Sequence, residues 1–116
     1  MTELERALHA FSVRANGHAH VRDLARHWQT EFYVESTDSP NCFRLVLREG
    51  EIVGVESTTP PTHETLLLRG NAQVLQAVFS GSQHPLTAYN EGHLQIYGPQ
   101  ADQNKLDAIS LLIWGA

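Results

Sequence analysis

His84 to Pro99 reads HPLTAYNEGHLQIYGP, and the folding of this stretch decides the rest. Pro85 suits the first turn of a short helix, where a missing N–H costs nothing, and Leu86 to Tyr89 complete that turn. Gly92 and Gly98 bracket His93-Leu94-Gln95-Ile96-Tyr97, whose two-residue alternation is that of a strand. After Gly98-Pro99 an amphipathic run begins, and it ends very apolar at Leu111 to Trp114. Strand, glycine turn and helix is also the order of a phosphate-binding loop. The residues deny that reading. A dinucleotide loop needs three glycines where this turn has one, Pro99 removes a backbone donor, and no Lys-Ser/Thr pair follows as in a P-loop. Gly98 and Pro99 therefore read as a strand end and a helix start.

Downstream, Leu106, Ile109 and Ile113 form one stripe of the last helix. Leu112 and Trp114 widen it, while Ala108 and Leu111 cover much of what remains. A surface helix needs an apolar face of only about 100°. The excess is core, an oligomer interface or the lid of an apolar cavity, and residue types alone do not choose among these.

Upstream, Asn71 caps a helix with Ala72, Leu75, Val78 and Phe79 on one side, closed by Gly81. Leu66-Leu67-Leu68 is apolar on both faces and belongs inside a sheet. Pro60-Pro61 makes the preceding segment an extended linker. Before it, three alternating runs (Glu31 to Glu35, Phe43 to Arg48, Ile52 to Glu56) are joined by a turn at Thr37 to Asn41 and a tight Glu49-Gly50 hairpin. They predict an antiparallel meander in which Val53 and Val55 share a face. At the start, Thr2 and Glu5 form a capping box before Leu4, Leu8 and Phe11, and Asn16-Gly17 stops that helix. Val21, Leu24, Ala25 and Trp28 predict a second helix with a full apolar stripe. The order is α-α-β-β-β-β-α-α-β-α. Strands and helices are largely segregated, which predicts an α+β sheet with helices packed on one face.

The 116 residues suit one domain. A net charge of -5 and seven scattered arginines with one lysine argue against a nucleic-acid partner. The amino terminus has no basic n-region or apolar h-region, and the longest apolar run, Leu111 to Trp114, is far too short for a bilayer. A cytoplasmic location without integral membrane insertion is the expectation. Cys42 is the single cysteine, so no intrachain disulfide forms.

Seven histidines raise the question of a metal. His20 and His27 are roughly cofacial on a helix, but His18 sits at its entrance and points elsewhere, and no His-Glu-x-x-His or Cys-x-x-Cys motif accompanies them. No metal and no cofactor are expected. Ser80 and Ser82 lie at a helix end rather than on a Gly-x-Ser-x-Gly elbow, and Cys42 has no histidine placed with it. No catalytic residue is assigned, and the chain is not expected to be an enzyme.

The stretch from Pro85 to Gly98 resembles the Pro-Leu-x-Ala-Phe/Tyr-x-x-Gly-x-Leu-x-Ile/Val-x-Gly pattern of the sterol carrier protein 2-like domains. It matches at Pro85, Leu86, Ala88, Tyr89, Gly92, Leu94, Ile96 and Gly98 without a gap. LVLREGEIVGVESTTPPTHETLLL looks like that family's hairpin, linker and following strand, and VLQAVFSG looks like its glycine-closed helix. The likeness covers about residues 20 to 116. It implies a five-stranded, mostly antiparallel sheet with helices on one face and an apolar tunnel between them, so that residues 1–116 would be a single lipid-binding domain. It also implies non-catalytic binding and transfer of an apolar lipid: a fatty acid, a fatty acyl-CoA or a sterol-like ligand. Carried onto this chain, Leu75, Val78, Phe79, Leu86, Tyr89, Leu94, Ile96, Leu106, Ile109 and Ile113 would line the tunnel, with Ile109 and Ile113 facing Leu75, Phe79 and Tyr89. Asn71 to Gln73 departs from the family in lacking its acidic helix start. The alternative is a protein interaction or dimerisation module whose apolar last helix serves a homodimer, or an accessory factor presenting a lipid to a partner enzyme.

Overall fold

The computed structural model of the chain describes residues 2–62 and 64–114. Its elements run α1 (Glu3–Asn16), α2 (Ala19–Leu24), β1 (Thr30–Ser36), β2 (Cys42–Arg48), β3 (Glu51–Ser57), β4 (Leu66–Gly70), α3 (Ala72–Phe79), α4 (Pro85–Asn90), β5 (Leu94–Tyr97) and α5 (Gln100–Trp114). The order and type of every predicted element hold. One five-stranded sheet results, in the order β3-β2-β1-β4-β5, antiparallel except for the β1–β4 pair. β4 is an interior strand, as its triple leucine requires.

Since β4 runs parallel to β1, it also runs the same way as β3. The chain leaving β3 must therefore recross the length of the sheet and three strand spacings, roughly 14 Å across, before β4 begins. Residues 58–65 do this with no helix among the described residues. Eight residues reach only about 29 Å fully extended, so Pro60-Pro61 supplies the stretched backbone that the crossing demands.

Two predicted faces are corrected by the structure. The β2–β3 register pairs Val46 with Gly54 and Leu47 with Ile52, so Val53 is an extra, bulged residue. The bulge brings Ile52 and Val55 to the core face and turns Val53 out, 60 % exposed. In α2 the helix ends at Leu24, which is exposed. The buried stripe is instead Val21, Ala25 and Trp28, and Trp28 arrives through a turn stitched by Trp28 N donating to Ala25 O. Its indole Nε1 then donates to Asp102 Oδ1 at 2.9 Å, tying the end of this segment to α5.

The core lies between the sheet and the helices. Phe32, Val34, Phe43, Leu45, Leu66 and Leu68 meet Leu8 and Phe11 of α1, Leu75 and Phe79 of α3, and Leu106, Ile109 and Ile113 of α5. Phe79 is the joint: its ring stands edge-on to Phe11 at 5.1 Å and parallel to Phe32 at 6.4 Å. Leu67 points to the opposite face and is still 0 % exposed, between its register partners Tyr33 and Tyr97. That face also carries ion pairs, Arg44 with Glu56 and Arg69 with Glu35.

Candidate functional site

Gly98 positions the site. Its φ of +109° is closed to ordinary L residues, and a Cβ there would come within 2.7 Å of the Leu66 backbone. Glycine lets the end of β5 pass against the start of β4 before the chain turns into α5. Gln103 Nε2 donates to the Gly98 carbonyl at 2.9 Å and fixes the first turn of α5 over that corner. The turn thus serves close backbone approach.

α3, α4, α5 and the β4–β5 edge then enclose a pocket of about 200 Å³. Its apolar side is Leu68 and Ile96 from the sheet, Val78 and Phe79 from α3, Pro85, Leu86 and Tyr89 from α4, and Leu106 from α5. Its other side is polar: Gln100, Gln103, Asn104, Asp107 and Ser110 of α5. Leu86 and Tyr89 sit at the rim, about half exposed at 51 % and 50 %. A second pocket of about 150 Å³, lined by Gly81, Gln83, His84, Leu111 and Trp114, shares Pro85 and Ser110 with the first. Two adjoining pockets with a common wall stand where a single tunnel was expected.

Of the ten residues expected to line the cavity, Val78, Phe79, Leu86, Tyr89, Ile96 and Leu106 meet there. Leu75, Leu94, Ile109 and Ile113 are buried in the core and do not reach the pocket. The reason lies in how α5 docks. It packs on α1, α2 and α4, so its greasiest stripe is taken up by helix contacts and core. The flank turned to the pocket is the polar stripe at positions 100, 103, 104, 107 and 110. That stripe has helical spacing and was legible, but a polar helix stripe ordinarily means solvent.

Among the described residues no group of three His, Cys, Asp or Glu is placed to hold a metal ion. His18 caps α2, its Nδ1 accepting from Val21 N. Cys42 is buried beside β1, and desolvation, helped by the charge of Glu35, pushes its thiol up to about 11. A thiol so raised is a poor nucleophile at neutral pH. The α3 N-terminus, which carries no acidic residue of its own, receives one from elsewhere. Asp38, in the β1–β2 turn, accepts from Ala72 N at 3.0 Å and from Ser36 Oγ at 2.8 Å, and those bonds lower its pKa. Among the described residues no helix is long and apolar enough to cross a membrane.

No family model matches the chain, and no curated protein matches it in sequence. Solved structures do match. A crystal structure of sterol carrier protein 2 superposes with a TM-score of 0.67 at 15 % identity, covering 96 % of this chain and 95 % of that one. The chain has the sterol carrier protein 2 fold. Sterol carrier protein 2 from Aedes aegypti, solved by NMR in complex with the C16 fatty acid palmitate, gives 0.70 at 9 % identity over 97 % of this chain and 98 % of that one. The sec-alkylsulfatase Pisa1 from Pseudomonas sp. gives 0.65 at 16 % identity, and there the match spans 89 % of this chain but 15 % of the enzyme. The fold thus occurs both as a whole protein and as part of an enzyme.

Proposed function

We propose that this chain is a non-catalytic carrier that binds the alkyl portion of a lipid in the pocket between α3, α4, α5 and the β4–β5 edge. The observation that carries the reading is the pocket itself, a concave apolar wall running from Leu68 and Ile96 out to the half-exposed Leu86 and Tyr89. An alkyl chain moved from water onto that wall gains roughly 0.8 kcal/mol per buried methylene before ordering costs. The placement of Val78, Phe79, Leu86, Tyr89, Ile96 and Leu106 around one space supports a lipid-contact role for those six. The palmitate of the Aedes aegypti structure adds support, because that protein has this fold.

At about 200 Å³ the main pocket is smaller than the roughly 300–1,000 Å³ of ordinary ligand sites. A long alkyl chain therefore requires α4 and α5 to part, or the Pro85–Ser110 wall between the two pockets to open. α4 is six residues long and is the element best suited to shift.

Native mass spectrometry of the freshly purified protein, followed by displacement of an apolar fluorescent dye with 1-dodecanol, tests the proposal. Retained lipid mass or micromolar displacement is expected. A chain that leaves purification without lipid, binds no alkyl compound and runs as a dimer would instead assign the exposed Leu86, Tyr89, Leu111 and Leu112 to an interface between copies.

A further inference from the structure

We infer that Asp107 is a specificity-determining residue which makes this pocket select lipids whose head group carries no negative charge. The inference rests on the lipid-binding reading and narrows it to a ligand class: long-chain alcohols and amines rather than acids or phosphate esters.

The polar wall is where a head group must lie, since the rest of the pocket is apolar. Along that wall Asp107 is the only carboxylate, and no Lys or Arg lines either pocket. The nearest cations each lie against an aromatic ring, Arg14 against the Trp114 ring that lines the second pocket. Lys105 lies on the far side of α5, 5.5 Å from the Trp28 ring, and Arg14 stacks 4.4 Å over Trp114. The partial positive charge at the start of α5 faces Asp102 in its own first turn.

Position on the helix makes Asp107 unavoidable. Gln103, Asn104 and Ser110 each lie three or four residues from it, within about 6 Å along the axis. An anionic head bound at any of them would sit near a negative charge whose side chain is 42 % exposed, so it would meet a repulsion that solvent screens in part.

The same wall suits a neutral or cationic head. Ser110 is 5 % exposed and borders both pockets. A ligand hydroxyl or ammonium can donate to Ser110 Oγ and to Asp107 together. Gln100 Nε2 and Gln103 Nε2 are already donating, to Asn104 Oδ1 and the Gly98 carbonyl, so two of the wall's amides offer fewer donors to an anion. One imidazole stands near: His84 Nε2 is 3.9 Å from Asp107, while His84 Nδ1 accepts from Leu86 N and caps α4. The test is run at about pH 8.

The experiment compares 1-dodecanol, dodecylammonium and dodecanoate as displacers of the same apolar dye, on the full chain and on Asp107→Asn. In the unmutated protein dodecanoate should bind at least about threefold more weakly than dodecanol, and dodecylammonium at least as tightly as dodecanol. Asp107→Asn should remove most of the dodecanol–dodecanoate gap and weaken dodecylammonium binding, with the melting temperature unchanged. Equal binding of acid and alcohol to the unmutated protein, or a gap that survives Asp107→Asn intact, overturns the inference and leaves the carrier reading standing. Failure of all three compounds to displace the dye, with no lipid retained on purification, removes the carrier reading itself.

Discussion

Asp38 shows how much one side chain carries when it joins two segments. α3 starts with Asn71 as its own cap, the side chain accepting from Val74 N at 2.8 Å. The second acceptor at that helix end, Asp38, comes from 34 residues earlier in the chain. Because its folded pKa is lowered, Asp38 contributes stability that is present above the ordinary carboxylate pKa and is lost as pH falls through the folded value. Asp38→Asn should therefore lower the melting temperature at pH 7. The difference from the unmutated protein should shrink as the solution is acidified below about pH 4. Thermal melts of both proteins across that range check the sign, and a difference that grows on acidification would contradict it.

At the level of elements, the bulge in β3 and the docking of α5 each reassign residues that look alike in the sequence. Ile52 and Val53 are adjacent, yet one is core and the other is turned out. Ile52→Ala should cost about 2–5 kcal/mol and Val53→Thr no more than about 0.5 kcal/mol, as measured by denaturant unfolding. A reversed ranking would mean that the register lacks its bulge. α5 gives a sharper contrast. Ile109 is packed in the core, so Ile109→Trp should overpack it and cost about 1–3 kcal/mol. Ile96 borders the pocket and is half-buried. Ile96→Trp should fill that space, weakening alkyl binding about tenfold or more with little loss of stability. Melting curves and dye displacement on this pair separate core from cavity.

For the whole molecule, the decisive feature is the parallel pairing of β1 with β4. It carries β4 into the sheet and places β5 beside it, so that both edges of the Gly98 turn border the pocket. It also leaves Leu67 on the face opposite the helices, shielded between Tyr33 and Tyr97. Leu67→Asp would bury a charge with no cation opposite it in the register, at a cost of about 3–5 kcal/mol. Against a typical total of 5–15 kcal/mol, most of this protein should then be lost to the insoluble fraction or melt far below the parent. A soluble variant of unchanged melting temperature would show Leu67 to be open to water.

The sequence alone determined which segments are helices and which are strands, because caps, glycines, prolines and the periods of two and 3.6 are local signals. Thr2 with Glu5, Glu49-Gly50 and Gly98-Pro99 each acted at the position where it stands. Six of the ten residues expected to line a cavity meet at one pocket; Leu86, Tyr89 and Ile96 stand in the stretch Pro85 to Gly98 that resembles the motif, and Val78, Phe79 and Leu106 in the helices before and after it. What only the tertiary structure decided is which side of an element meets which neighbour. The angle at which α5 docks sends Ile109 and Ile113 to the core and gives the pocket a polar wall. The bulge swaps Ile52 for Val53, and Asp38 reaches α3 across 34 residues. Each of these depends on contacts between segments far apart in the chain, and hydrophobic periodicity says that a face is buried without saying against what.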